Sequence, residues 1–155
     1  AAGQKVSNDD VVVENPKITD LQVKLLNDNI ISPDQDISFE ISYDVNEDIE
    51  TYIAFSLTDI DRGIWIYNDN SMDNKTSGSG RKTLTYKCSL AHLNNIKLKL
   101  QVSVRDKDDQ MIAFADSDNS PVILLNRTDI EDDDKSAKDS ATGMVQRNGK
   151  WEIQE

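Results

Sequence analysis

The sequence predicts an all-β sandwich or barrel of about eight strands. Apolar and polar residues alternate with a period of two in one short stretch after another, which is typical of half-buried strands. Turn-forming residues separate these stretches roughly every ten residues, and no stretch shows sustained helical periodicity. With 155 residues, the chain is long enough for one domain with a substantial core.

The stretch 52–71 predicts a β-hairpin. Its first arm carries Ile53, Phe55 and Leu57 at alternate positions, and the turn 59–63 contains the glycine of a common hairpin loop. If Leu57 lies opposite Ile66, the alternation of side chains places Thr58 opposite Trp65 and Ser56 opposite Tyr67. One face of this hairpin is aliphatic and suits a core, whereas the other carries two aromatic rings among small hydroxylated residues.

The whole chain, including this hairpin, divides by composition into four segments. We expect an N-terminal linker at 1–17 with a possible short strand at 11–13, and a sandwich at 18–127. A polar linker follows at 128–142, and an apolar docking strand closes the chain at 143–155. The other predicted strands of the sandwich cover 18–26, 36–45, 83–88, 96–104, 111–115 and 121–125.

Net charge and cysteine content restrict the function. The chain has a net charge of −12 and a pI near 4.4, which argues against nucleic acid and anionic membrane surfaces as partners. The single cysteine, Cys88, excludes an internal disulfide and is compatible with a reducing cytoplasm. No apolar run approaches the roughly 18 residues of a transmembrane helix.

No motif points to catalysis, a metal or a cofactor. His92 is the only histidine, so a histidine-based metal cluster is excluded, and a structural role is expected for it. Gly80-Arg81-Lys82-Thr83 lacks the glycines of a phosphate-binding loop. Three acidic pairs are interpreted as solvated turns rather than calcium ligands: Asp59 with Asp61, Asp106 with Asp108, and Asp116 with Asp118. We therefore expect a protein that is not an enzyme and has no cofactor.

The aromatic face of the hairpin is the candidate binding site. Pyranose rings present apolar C–H faces that stack on aromatic side chains, and Trp65 and Tyr67 are the candidates for this contact. Further candidates would bind hydroxyls or a carboxylate, or line the rim: Gln101, Ser103, Arg105, Asn68 and Asn70. The alternative is that this face is also buried, under a second sheet or a partner.

Several stretches together resemble a known family, the C-terminal carbohydrate-binding domain of Wzt-type proteins. These proteins are the ATP-binding subunits of ABC transporters that export O-antigen polysaccharide. The similar stretches are Ile18 to Leu26, Asp36 to Val45, the hairpin Ile53 to Ile66, the segment Leu93 to Asp108, and Gly143-Met144-Val145 with Trp151-Glu152. The likeness covers residues 18–155, and its specific feature is the order of these stretches, with the late Gly-Met-Val…Trp after a polar linker.

The resemblance implies a jelly-roll or immunoglobulin-like antiparallel sandwich that binds the finished glycan, often through its non-reducing terminal group, before export. It implies a cytoplasmic protein, peripheral to the inner membrane and attached to a transmembrane subunit through an ATPase domain. It also implies a homodimer in which the final strand crosses to the partner.

Two other functions remain open from the residues. The first is a structural or adhesive β-sandwich without a role in glycan export, for which Asn74-Lys75-Thr76 and Asn126-Arg127-Thr128 would be glycosylation sequons. The second is a hydrolase on a jelly roll, which needs two carboxylates facing one groove; Glu40 and Asp44 share a strand face.

Overall fold

A computed structural model describes residues 16–154, and these residues form ten β-strands and one short α-helix. The elements are β1 (Ile18–Leu25), β2 (Ile30–Ile31), β3 (Asp36–Val45), β4 (Glu50–Asp59), β5 (Ile64–Asn70), β6 (Thr76–Ser77), β7 (Gly80–Ser89), β8 (Ile96–Asp106), β9 (Met111–Phe114), β10 (Val122–Leu125) and α1 (Lys135–Ser140). All eight predicted strands are present. The two additional strands, β2 and β6, have two residues each and are too short to show an alternating pattern. The possible strand at 11–13 lies outside the described residues.

The strands form two sheets that pack face to face. One sheet has three strands in the order β1-β3-β7, and the other has seven, in the order β2-β10-β8-β4-β5 with β6 beside β4 and β9 beside β8. Neighbouring strands are antiparallel except β2 and β10, which are parallel. The predicted all-β sandwich is thereby confirmed.

The core lies between the sheets and contains one set of alternate residues from each long strand. Phe39 and Tyr43 of β3 are fully buried, as are Leu57 of β4 and Leu100 of β8. Burying one such side chain contributes about 1.5–3 kcal/mol. The Tyr43 hydroxyl lies 2.8 Å from Thr51 Oγ1, so its polar group is satisfied inside the core. The opposite set of alternate residues faces outward and forms the two outer surfaces.

The hairpin between β4 and β5 is closed by the carboxylate of Asp59, which is buried, so its interpretation as a solvated turn residue was wrong. Asp59 Oδ1 accepts hydrogen bonds from the backbone N–H groups of Asp61 and Arg62, at 2.9 and 3.0 Å. Asp59 Oδ2 accepts from Arg62 Nη1 at 2.7 Å. Gly63, with a φ of 68°, completes the turn and donates its N–H to the Asp59 carbonyl at 2.8 Å. This carboxylate therefore holds the turn that positions the start of β5.

The C-terminal part of the chain leaves the sandwich and returns to it once. The predicted polar linker contains helix α1, whose first turn is capped by Asp134. Beyond it, Val145 makes a single β-bridge with Leu93. The predicted docking strand thus forms no extended pairing with this chain's own sheets, and Trp151 is 95% exposed. No helix within residues 16–154 has the length and apolar character to cross a membrane.

The Asp59 turn generates a pH-dependent prediction. Burial raises the pKa of Asp59, but the hydrogen bonds from Arg62 and Asp61 and the Arg62 charge outweigh it, so the pKa lies below its usual range. A depressed folded pKa adds stability above the unfolded value near 3.9, and this contribution is lost as the pH falls through the folded pKa. Asp59→Asn should therefore cost about 1–3 kcal/mol at pH 7 and less below about pH 4.

Urea unfolding at neutral and acidic pH measures this difference. Asp61→Asn is the matched control in the same turn, because Asp61 is exposed and only its backbone contacts Asp59. An Asp59→Asn penalty that is the same at both pH values would contradict the prediction.

Candidate functional site

The outer face of the seven-stranded sheet carries a groove of about 560 Å³, here called the outer groove. Its lining residues come from β4, β5, β8, β9 and the turn after β5: Tyr52, Ala54, Phe55, Ser56, Trp65, Asn68, Asp69, Asn70, Met72, Gln101, Val102, Ser103, Arg105, Met111 and Phe114. The floor carries the small side chains of Ala54, Ser56 and Ser103. Larger side chains from β5 on one side and β9 on the other form the walls.

Strand register explains why these residues meet. Residues opposite each other in antiparallel strands share a face of the sheet, so the pairing defines rows across the groove. The rows are Trp65-Thr58-Lys99, Asn68-Ser56-Gln101, Asn70-Ala54-Ser103-Phe114 and Tyr52-Arg105-Met111. Six of the seven predicted site residues lie in these rows: Trp65, Asn68, Asn70, Gln101, Ser103 and Arg105.

The walls of the outer groove expose apolar surface. Trp65 is 71% exposed on the β5 side, and Phe114 is 51% exposed on the β9 side. Met72 and Met111 are each 41% exposed along the same groove. A group of large apolar side chains around one concavity, bordered by polar residues, is typical of a ligand-binding surface.

The polar side chains of the outer groove keep much of their hydrogen-bonding capacity. Gln101 Oε1 accepts from Thr58 Oγ1 at 3.3 Å, and within residues 16–154 both of its amide protons remain for other partners. Ser103 Oγ donates to the Ala54 carbonyl at 3.4 Å and retains its acceptor sites. Asn70 Oδ1 accepts from the Met72 backbone N–H at 3.0 Å, which ties the end of β5 to the following turn.

One end of the outer groove is formed by Arg105 and Tyr52. Tyr52 is 3% exposed, and its hydroxyl donates to Asp109 Oδ1 at 2.8 Å. Burial raises the pKa of Tyr52, the Asp109 carboxylate raises it further, and Arg105 acts in the opposite direction. Within the described residues, the buried Nε of Arg105 has no hydrogen-bond partner. The Arg105 side chain as a whole is half-buried, so part of it is exposed at this end of the groove.

Tyr67 does not belong to the outer groove. A register shift between Leu57 and Thr58 pairs Leu57 with Tyr67, so the expected pairs Leu57–Ile66 and Ser56–Tyr67 were wrong, although Thr58 does lie opposite Trp65. The Tyr67 ring faces inward and stacks on Phe55, with ring centroids 6.1 Å apart. A β-bulge adds one residue to a strand and reverses the facing of the residues beyond it, and no period-two pattern reveals it.

The Tyr67 hydroxyl joins a hydrogen-bonded cluster between the two sheets. It lies 2.6 Å from the Tyr86 hydroxyl on β7, and Tyr86 also donates to Asp69 of β5. Burial raises the pKa of Tyr86, with further increases from the hydrogen bonds to Asp69 and Tyr67. Cys88 lies in the same region, and burial raises the pKa of its thiol. This cluster connects edge strand β5 to the opposite sheet.

Sequence reasoning missed Tyr52, Met72, Met111 and Phe114 as groove residues. For Met111 and Phe114, the available signal was the hairpin from β8 to β9. A strand that follows the turn after Arg105 pairs with β8 and therefore lies beside Ser103. Glu40 and Asp44, the carboxylates of the hydrolase alternative, lie on the other sheet. Asp44 pairs there with Arg81 at 3.3 Å, which favours a structural role.

Comparisons with known proteins show similarity in fold alone. No protein-family model and no curated protein sequence matches the chain. The crystal structure of the C-terminal domain of Wzt superimposes with a TM-score of 0.57 at 10% identity, over 90% of this chain and 86% of that one. At this identity the match establishes a shared sandwich architecture.

Two further solved structures match with lower scores. The CARDB domain of the PF1109 protein from Pyrococcus furiosus, in complex with di-metal ions, gives a TM-score of 0.42 at 11% identity, over 76% of this chain and 95% of that domain. The alkylpurine DNA glycosylase AlkC of Pseudomonas fluorescens, bound to DNA with an abasic site analogue, gives 0.44 at 9% identity, over 71% of this chain and 30% of the enzyme.

The opposite facing of Trp65 and Tyr67 generates a prediction about stability. Tyr67→Ala should lower the free energy of unfolding by about 2–4 kcal/mol, because it removes a ring packed on Phe55 and leaves a cavity. Trp65→Ala should change it by less than about 1 kcal/mol, since most of that ring is exposed. Urea unfolding of the two variants provides the comparison, and equal losses would contradict the assigned facing.

Proposed function

We propose that this chain is a non-catalytic carbohydrate-binding module whose outer groove binds a polysaccharide. The observation that carries the proposal is the exposed Trp65 ring beside a row of polar side chains on one sheet face. The fold shared with the Wzt C-terminal domain supports it. Trp65 is also one of several large apolar side chains that are exposed along the same groove, and a contiguous apolar patch of this kind marks a binding surface.

The chemistry of the outer groove suits sugar rings. The apolar C–H face of a pyranose stacks on Trp65, while the hydroxyls around the ring bond to Gln101, Ser103, Asn68 and Asn70. Arg105 bonds ring hydroxyls or a carboxylate, and its guanidinium supports bidentate contacts. No metal or cofactor takes part in this recognition.

The finer proposal is that the glycan is an O-antigen polysaccharide bound near its non-reducing end. Support comes from the stretches of sequence that resemble the Wzt-type domains and from the fold similarity to a Wzt C-terminal domain. In this proposal the module is cytoplasmic and peripheral to the inner membrane. It joins an ATPase domain and a transmembrane transporter subunit and couples glycan recognition to export.

A glycan array followed by calorimetry with the strongest-binding polysaccharide tests the function. Trp65→Ala should weaken binding by about 1–3 kcal/mol, the order expected for a lost aromatic anchor, while the protein remains folded. Ile30→Ala is the control, because Ile30 is also exposed but lies at the far edge of the same sheet. If no polysaccharide on the array binds, the structural or adhesive alternative replaces this proposal.

We further propose a homodimer formed through the C-terminal segment. The residues 143–146 are held by the buried side chain of Asn94, whose Nδ2 donates to the carbonyls of Gly143 and Val145 at 2.7 and 3.2 Å. The segment then extends away from its own sandwich, with Trp151 95% and Ile153 85% exposed. Apolar side chains of this size favour burial against another surface.

Edge strand β7 is the proposed acceptor for the partner's terminal segment. Within residues 16–154, β7 pairs with β3 on one side and has no strand on the other. Its Leu84 and Tyr86 border an apolar cavity of about 70 Å³ that lies between β7 and the end of β5. Strand exchange fills such an edge and closes a two-fold dimer.

Truncation after Gln146 tests the dimer. This end point keeps the contacts to Asn94, so its buried side chain stays paired. Light scattering should show a dimer for the intact chain and a monomer, or aggregates through the uncovered edge, for the truncated one. An intact chain that is already monomeric would exclude the exchange.

A further inference from the structure

Two exposed aromatic rings border the outer groove from opposite sides. Trp65 lies on edge strand β5, and Phe114 lies on β9, across β4 and β8 on the same face of the sheet. Both rings line the same continuous groove. The sequence predicted Trp65 and Tyr67 of the hairpin as the stacking residues, whereas in the structure the second exposed ring along the groove is Phe114 of β9.

The strand register measures the separation of the two rings. Trp65 lies in the row of Lys99, and Phe114 lies in the row of Ser103, four residues further along β8. They are also three inter-strand steps apart, from β5 across β4 and β8 to β9. With about 3.3 Å per residue and 4.8 Å per strand, their backbones are roughly 20 Å apart. One sugar ring cannot contact both side chains.

The surface between the two rings is low and polar. Ala54, Ser56 and Ser103 form the floor of the groove between the two rings. Gln101 lies on this path, with its amide protons available for hydroxyl oxygens. Arg105, which is half-buried, lies at the Phe114 end.

We propose that the outer groove binds several consecutive sugars of one glycan chain, with Trp65 and Phe114 as separate stacking platforms at its two ends. This inference rests on the proposed carbohydrate-binding function and extends it. The site recognises a length of chain rather than a single sugar. The polar floor between the platforms contacts the hydroxyls of the intervening units.

Size-graded glycan fragments test the proposal. The probes are O-polysaccharides released by mild acid from a panel of bacterial lipopolysaccharides, screened intact, after which the strongest binder is cleaved into fragments of increasing length. Trp151→Phe provides the background, because it leaves Trp65 as the single indole and a fluorescence reporter of one end of the groove. Affinity should rise with fragment length until both platforms are occupied, and then level off.

Substitutions at Phe114 separate stacking from simple burial. Phe114→Leu should weaken binding of long fragments about tenfold, as expected for an aromatic anchor, and leave binding of the shortest Trp65-binding fragment unchanged. Phe114→Tyr keeps a flat ring and should restore the affinity. Val122→Ala is the matched control, because Val122 is exposed on the same outer face, in the row of Lys99, and does not line the groove.

The outcomes distinguish the two proposals. If no intact polysaccharide of the panel binds, the carbohydrate-binding function fails and this inference fails with it. If the polysaccharide binds but a monosaccharide or disaccharide binds equally well, or Phe114→Leu has no effect on long fragments, the function stands and the two-platform site is refuted. Length-dependent affinity that is lost in Phe114→Leu and restored in Phe114→Tyr supports the site.

Discussion

The pairing of β4 with β8 determines both the core and the outer groove. Nine consecutive residue pairs join the two strands, from Thr51–Asp106 to Asp59–Leu98, without a break in register. Because side chains alternate between the two faces, a slip of one residue would exchange Phe55 and Leu57 with Ala54 and Ser56. The same register therefore buries the large side chains inside and leaves the small ones as the floor of the groove.

Much of this arrangement was predictable because it follows from the alternation of side chains along single strands. The alternation in β3, β4 and β8 identified the buried residues correctly, and the polar set on β8 included Gln101, Ser103 and Arg105. The alternation of side chains does not predict the order of the strands in the sheet. The position of β8 beside β4 depends on contacts between residues far apart in sequence, and β9 in turn lies beside β8. Phe114 could be assigned to a wall of the groove only once this strand order was known.

Two local features departed from the pattern for physical reasons. The bulge in the β4–β5 hairpin turned the Tyr67 side chain toward the core. A bulge is a local change in backbone geometry, and the alternation of apolar residues in the sequence does not reveal it. The contacts of Asn94 illustrate a different limit. Its side chain is fully buried because it satisfies the carbonyls of a segment about fifty residues later, a partnership that an exposed-looking Asn-Asn sequence does not indicate.

The inward turn of Tyr67 also explains how the groove keeps its β5 wall. An edge strand has one neighbour, so β5 would be free to twist away from the sheet if β4 alone held it. Its Tyr67 and Asp69 side chains bind the Tyr86 hydroxyl on the opposite sheet, and the rings pack with Phe55. Alternate residues of the same strand, Asn68 and Asn70, face the groove. Tyr67, one of the two residues predicted to stack on a ligand, thus packs on the other side of the sheet and holds in place the strand that carries groove-lining side chains.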